Sequence, residues 1–324
     1  MQILARNRVS VFRVLLGLAG LAFSAAASAI PYAVGDVFAS TGNGLVNVFS
    51  QTGVLIQTLN TTKGGFTTGS TFDSFGNFYV TNFSSNTVAK FDNNGVLVNA
   101  NWATGGGSNE SIVFDVAGNA YIGNAGSATI KKVDSNGVQI AVFTTLLGTD
   151  WIDLAADQKT LIYSNEGSEI RSLNTSTLAD TVFTNSSGAN YAKRITTSGD
   201  VLMASSTGSA YRFNSAGVLQ QTYAVGIGSI FALNLDANGT SFWTGATGGQ
   251  AIRKVNIATG AIEQSWSTGT GQLFGLAVFG EILAGGGGGG GGGGTQVPEP
   301  GTLSLLGAAF IGFVLLRRRK AMVA

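Results

Sequence analysis

One stretch, Thr71 to Val98 (TFDSFGNFYVTNFSSNTVAKFDNNGVLV), sets the terms for the chain, because its grammar returns from near residue 35 to near residue 283. A run ending in Phe72-Asp73 leads to a turn at Gly76-Asn77, a strand Phe78 to Thr81 and a polar loop Asn82 to Asn86. A strand Thr87 to Phe91, the turn Asp92-Asn93-Asn94-Gly95 and a last strand from Val96 complete it. Period-two alternation bounded by Gly, Asn, Asp and Ser is the pattern of antiparallel strands joined by tight turns. One such meander cannot bury its own faces, so the copies must bury one another's.

The copies align on their turns. Final-turn glycines fall at Gly53, Gly95, Gly137, Gly217 and Gly260, with Thr177 in the same column of the fourth copy, so the steps are 42, 42, 40, 40 and 43 residues. Four-stranded units of this length, set around an axis, read as the blades of a β-propeller. The first copy opens at Gly35-Asp36 with its second strand and lacks the innermost one, whereas Phe274 to Phe279 (FGLAVF) is an opening strand with no unit after it. If the late strand completes the early blade, the sheet edges at the two ends pair. The predicted fold is therefore all-β: a six-bladed β-propeller closed by N- and C-terminal strands that share one blade, with a C-terminal hydrophobic helix beyond it.

Flanking segments divide the chain into residues 1–29, 30–284, 285–296 and 297–324. Arg6, Arg8 and Arg13 precede an apolar run from Val14 to Ala27, and Ala27-Ser28-Ala29 is a small-residue site that signal peptidase cuts, which predicts a mature chain from Ile30. The apolar run is shorter than the roughly 20 residues a spanning helix needs. After the repeats, Gly285 to Gly294 is an unbroken run of glycine, read as a disordered tether with a span of roughly 17 Å. Between Pro31 and Pro298 there is no proline, so Gly, Asn, Asp and Ser must build every turn of the ring.

Charge and two missing residue types exclude whole classes of function. The formal net charge of +1 hides Arg6, Arg8, Arg13, Arg317, Arg318, Arg319 and Lys320 at the ends; with these seven set aside, eleven basic residues face seventeen acidic ones. An acidic body argues against nucleic acid, whose sequence-independent affinity rests on Lys and Arg neutralising phosphates. The chain has neither Cys nor His. Disulfides, Ser-His-Asp and Cys-His catalytic sets and ordinary structural zinc sites are therefore excluded. Carboxylate chemistry remains, as does a hard cation such as Ca²⁺ held by Asp, Glu, Asn and backbone carbonyls. No cofactor is assigned.

The tail reads VPEPGTLSLLGAAFIGFVLLRRRK: Pro298-Glu299-Pro300, an apolar run Thr302 to Leu316, and a basic cluster with Arg317, Arg318 and Arg319. Fifteen apolar residues rise only about 22 Å as a helix, enough to span with snorkelling arginines, and the positive end stays cytoplasmic. This three-part order resembles the PEP-CTERM sorting signal of Gram-negative bacteria, paired here with an N-terminal signal. The resemblance implies transient anchoring in the inner membrane, recognition by an exosortase, processing near Pro298-Glu299-Pro300 and delivery to the cell surface or extracellular matrix. The repeats, in units such as FDSFGNFYVTN and FDVAGNAYIGN, resemble NHL and YVTN-type propellers and, more distantly, the gluconolactonase-like six-bladed enzymes.

Loops joining the second and third strands of the blades, and those crossing between blades, share one face at the channel mouth. The first set carries the column Thr41, Asn82, Asn124, Asn165, Ser205 and Gly245, with Glu166 and Glu169 close by; the second carries Trp102, Glu110, Asp150, Trp151, Asp153 and Tyr191. Amides, carboxylates and aromatic faces suit a glycan or a cation, so Asn82, Asn124, Asn165, Glu166, Trp102, Glu110, Trp151 and Asp153 are the candidate binding residues. Turn geometry accounts equally for repeated Asn. Asp73, Asp115, Asp236, Asp92 and Asp134 are read as closing turns through their own backbone, since no unit has the dense carboxylates of a calcium loop. Three functions stay open. The leading one is a non-catalytic exported propeller that binds a partner or a matrix polysaccharide. The others are a divalent-cation-dependent lactonase-like hydrolase using Glu110, Asp153 and Glu166, and a structural component of a biofilm matrix.

Overall fold

The structure is a computed structural model that describes residues 32–284. The signal segment 1–29, the glycine run 285–294 and the hydrophobic helix of the tail lie outside the described residues. Among the described residues, 24 strands form six four-stranded antiparallel sheets, and no helix is long and apolar enough to cross a membrane. Counted as blades 1 to 6 in chain order, their innermost strands are Gly275–Val278, Thr67–Phe72, Asn109–Phe114, Trp151–Leu154, Asn190–Ile195 and Ile230–Leu235.

Ring closure follows the sequence expectation. Gly275–Val278 pairs antiparallel with Val37–Ser40, Val37 opposite Val278 and Ser40 opposite Gly275. The chain's last strand is thus the first of blade 1. Hydrogen bonds extend the pairing past both ends, from Phe274 N to Ser40 O (2.9 Å) and from Gly35 N to Phe279 O (2.7 Å). The two ends of the ring thus pair with each other.

Turns are closed by the side chains that open them. Asp73 Oδ1 accepts from Phe75 N and Asn77 N, both at 2.9 Å, and Asp115, Asp92 and Asp134 repeat the geometry in their own turns. Gly53, Gly95, Gly137, Gly217 and Gly260 all have left-handed φ near +80°, which a Cβ disfavours. In blade 4 that conformation falls on Leu178 (φ 60°) and not on Thr177, so the column shifts by one residue there.

Burial grades outward along each blade. The innermost strand Asn109–Phe114 is buried at every position, whereas the outermost strand Gln139–Thr144 alternates between exposed and half-buried. Aromatic side chains fill the wedges between sheets. Phe38 of blade 1 packs on Phe72 and Phe78 of blade 2, at ring separations of 4.9 and 4.7 Å, and Trp266 of blade 6 packs on Phe49 of blade 1 at 4.9 Å. Each fully buried ring contributes about 2–3 kcal/mol, and between blades 4 and 5 buried Ile162, Ile195 and Met203 take that part, which is why one meander needs the circle.

Candidate functional site

In every blade described by a full repeat, the first residue of the innermost strand lies opposite the last part of the second strand: Thr67 faces Asn82, Asn109 faces Asn124, Trp151 faces Ser164, Asn190 faces Ser205 and Ile230 faces Ala246. The opening residues of the innermost strands therefore gather at one mouth of the central channel, with the loops that follow the second strands. In blades 2, 3, 5 and 6 the innermost strand also takes one extra residue just inside this mouth. The pairing jumps between Asn109 and Ser111 and between Ile230 and Ala232, leaving Glu110 and Phe231 as the unpaired residues of β-bulges. A bulge interrupts alternation and re-aims a side chain. Here it turns one carboxylate and one ring toward the channel mouth.

The first group built this way is acidic. Glu110 of blade 3, Asp150 at the crossing into blade 4 and Glu166 in the blade 4 loop place carboxylate oxygens within 4.8 Å of one another. Glu110 and Asp150 are only 4% and 7% exposed, yet none of the three carboxylates accepts a hydrogen bond or forms an ion pair with a described residue. The Glu110 backbone is held tightly. Thr81 Oγ1 donates to Glu110 O at 3.0 Å, and a Cβ at Gly69 would stand 2.4 Å from that same oxygen, so only glycine lets the blade 2 strand pass. Beneath them lies the wholly buried Lys193, whose Nζ donates to Ser164 Oγ, to Tyr191 O at 2.9 Å and to Trp151 O at 3.4 Å.

Burial and mutual repulsion move every titration in this group. Burial first, then the charges of Asp150 and Glu166, hold Glu110 well above the carboxylate range. Asp150 is pushed up to about 7 by burial and by Glu166, against the pull of Lys193. Burial likewise brings Lys193 down to about 7, opposed by Asp150, Asp153 and Glu166. A site that shifts acids up and a base down toward neutrality is charged only at a cost, unless something else compensates.

The second group is aromatic. Phe66, Phe274, Phe231, Tyr191 and Trp151 form a connected arc over five blades, with ring separations of 4.7 Å for Phe66–Phe274, 6.1 Å for Phe274–Phe231, 4.5 Å for Phe231–Tyr191 and 5.5 Å for Phe231–Trp151. Phe66 is 41% exposed, and the buried Nε1 of Trp151 has no acceptor. The negative charge of Glu166 reaches the Tyr191 hydroxyl, so the arc ends beside the carboxylates.

Other predicted residues fall elsewhere. Asn82 and Asn124 are fully buried, with Nδ2 donating to Thr87 Oγ1 and Thr129 O and Oδ1 left without a donor. Asn165 sits in the blade 4 loop and accepts from Gly167 N. Trp102 lies in the outermost strand of blade 2, Leu97–Thr104, and not in a crossing loop; it packs between blades on Tyr79 and Phe114. Asp153, expected beside Glu110 and Glu166, instead accepts from Ile195 N at 2.6 Å deeper in the channel, and Asp150 takes its place. Asp153 belongs to a lower network in which Arg194 Nε donates to Asn234 Oδ1 and Arg194 Nη2 to Ser70 O, while Thr71 Oγ1, Asn234 Nδ2 and Val278 N all donate to Glu281. A cavity of about 410 Å³ on the opposite face, between blades 4 and 5, is lined mainly by apolar groups such as Ile162, Phe183 and Ile195. Its one carboxylate, Asp157, is engaged by Thr160 and Lys159 N.

Comparison with known proteins addresses both the ring and the tail. The structure is similar to that of a streptogramin B lyase (TM-score 0.51, 15% identity, covering 63% of this chain and 69% of that one). It is similar to a chain of a nidogen/laminin complex (TM-score 0.60, 13% identity, 74% and 97% covered) and to virginiamycin B lyase from Staphylococcus aureus (0.50, 11%, 63% and 70%). At these identities the likeness shows the propeller fold alone. A comparison with curated proteins finds no match. Residues 296–320, which contain Pro298, Glu299, Pro300 and Arg317 to Arg319, match the PEP-CTERM protein-sorting motif. The chain is thus a six-bladed β-propeller carrying a PEP-CTERM sorting motif, the mark of an exported, surface-sorted protein that passes through an exosortase-type enzyme.

Proposed function

We propose that this exported propeller binds an extracellular polysaccharide at the channel mouth without catalysing a reaction on it. The observation that carries this reading is the aromatic arc from Phe66 to Trp151 ending against Glu166. The partly exposed faces of Phe66, Phe274, Phe231 and Tyr191 suit the C–H surfaces of a sugar ring, while the carboxylates beside them supply acceptors for its hydroxyls. Removing the ring at the centre of the arc, Phe231→Ala, is expected to weaken binding to the best glycan on an array by about 10-fold or more, as truncation of a central aromatic anchor does. Equal binding by this variant and the parent, or no saturable binding to any polysaccharide, rejects the reading. The latter result would favour a purely structural matrix role.

One observation favours a divalent-cation-dependent lactonase-like hydrolase as the second reading: Glu110 and Glu166 do meet, with Asp150 as their third partner. Recovery of the bound glycan or of a test lactone unchanged separates binding from hydrolysis. On the route to the surface, signal peptidase removes residues 1–29, the tail anchors the chain transiently in the inner membrane, and an exosortase cuts near Pro298-Glu299-Pro300. The expected intact mass of the surface protein lacks both ends. A mass that includes the tail would contradict this order.

A further inference from the structure

We propose that Glu110, Asp150 and Glu166 hold a Ca²⁺ ion at the channel mouth, and that this ion offers its open positions to oxygens of a sugar lying on the aromatic arc. The second half rests on the carbohydrate reading above; the first does not.

Four features of the molecule point to this ligand. The donors are all carboxylate oxygens, which select hard cations over zinc or copper. All three oxygens lie within 4.8 Å of one another, close enough for one ion at bond lengths of roughly 2.3–2.6 Å to reach them together, and three protein carboxylates at one point suit Ca²⁺, whereas Mg²⁺ usually keeps several waters and takes one or two carboxylates. Glu110 and Asp150 are buried and aimed into this one space, yet no described donor reaches either carboxylate. Lys193 does not fill the role, because its ammonium is spent on Ser164 Oγ, Tyr191 O and Trp151 O.

Charge gives the valence. A bound cation displaces the protons that burial holds on these acids; three ionised carboxylates and one buried ammonium then sum to two negative charges, which a divalent cation cancels and a monovalent one does not. Ca²⁺ takes six to eight oxygens. Three side chains cannot supply them all unless every carboxylate binds through both oxygens, so positions remain for water or for a ligand's hydroxyl or carboxylate groups on the side of the arc. No bond is made or broken in this step.

The test uses the full chain, first stripped with a chelator. Adding CaCl₂ is expected to raise its melting temperature, with a dissociation constant on the order of 10⁻⁴ to 10⁻³ M, the range of extracellular calcium modules. Tb³⁺ in place of Ca²⁺ is expected to luminesce on excitation of tryptophan, since Trp151 adjoins Asp150. Glu110→Gln and Asp150→Asn keep the side-chain shape and are each expected to weaken the ion by more than about 10-fold. Glu166→Gln, in the blade 4 loop outside the strands, guards against loss of the fold as the cause. A melting temperature and Tb³⁺ signal that do not respond to the ion, or that respond equally in all three variants, overturn the site. MgCl₂ acting at lower concentration than CaCl₂ overturns the choice of ion. Glycan binding that survives chelator removes the bridging role while leaving the carbohydrate reading intact. Ca²⁺ binding with no glycan bound does the reverse.

Discussion

Asp150 and Asp153 lie three residues apart, at the start of one innermost strand, and their surroundings differ in kind. Asp153 accepts a backbone N–H and shares the channel with Arg194. Around it, Glu281 takes donors from Thr71 of blade 2, Asn234 of blade 6 and its own Val278, tying the closing strand of blade 1 to both neighbours. Asp150, with Glu110 and Glu166, has no such donors. A buried charge that is met on every side stabilises the ring and specifies how it closes; one that is buried and unmet costs stability and is explained by a ligand. The same channel thus has a structural floor and a mouth that is incomplete on its own.

The sharpest way to break this contrast is to remove the cation of the floor. Arg194→Ala leaves Glu281 and Asp153 without their compensating charge and is expected to cost about 3–5 kcal/mol in urea unfolding, with Ca²⁺ affinity unchanged in the fraction that folds. A loss below about 1 kcal/mol would mean that the floor is no better compensated than the mouth.

A smaller effect, on the order of 2 kcal/mol, is expected from pH in chelated protein, because proton uptake is shared among coupled groups at a mouth open to water. Asp150 titrates about 7 in the fold against 3.8 when unfolded, so the folded state holds more protons in this window and stability falls as pH rises from about 4 to 7. Lys193 is depressed from 10.5 to about 7, so above neutrality the unfolded state holds more protons and stability rises again. Glu110, whose proton is also held on by burial and its acidic neighbours, adds to the fall, so the expected curve has a minimum at or just above pH 7, which Ca²⁺ fills. Melting temperatures across this range that peak at neutrality without the ion would contradict the reading of the mouth.

The ring was legible because its rules are local. Asx turns at Asp73 and Asp92 and left-handed glycines recur with one period, and a missing first strand with a spare last one can only be reconciled by closure. The one-residue error at Thr177 arose where Leu178 takes a left-handed conformation without being glycine. The site was legible only in part. Glu110, Glu166, Asp150, Trp151 and Tyr191 could be assigned to the mouth by loop position, but the exchange of Asp150 for Asp153 turns on which residues of a four-residue strand begin below the rim. Phe231 and Phe274 sit in alternating runs that look like core, and the bulge that turns Phe231 outward has no residue signature. Trp102 was displaced because its strand runs eight residues, longer than the others.

The smallest expected effect is also the most discriminating, because it applies one chemical change to both regions. Glu281→Gln and Glu110→Gln each replace a carboxylate by an amide of the same shape. At Glu281 an amide can keep its oxygen on Asn234 Nδ2 and Val278 N and turn its NH₂ toward Thr71 Oγ1, which can accept, but it loses the negative charge that strengthens these bonds and faces Arg194, so a loss of about 2 kcal/mol is expected. At Glu110 no donor is lost, and burial and its acidic neighbours already hold its proton on well above the usual range. The neutral amide therefore resembles what the fold contains, and the expected change in chelated protein is about 1 kcal/mol or less, toward greater stability. Unfolding curves that show Glu110→Gln as costly as Glu281→Gln would give Glu110 a structural partner and remove the reason for a ligand; curves that separate the two leave the mouth's carboxylates with no structural work to do.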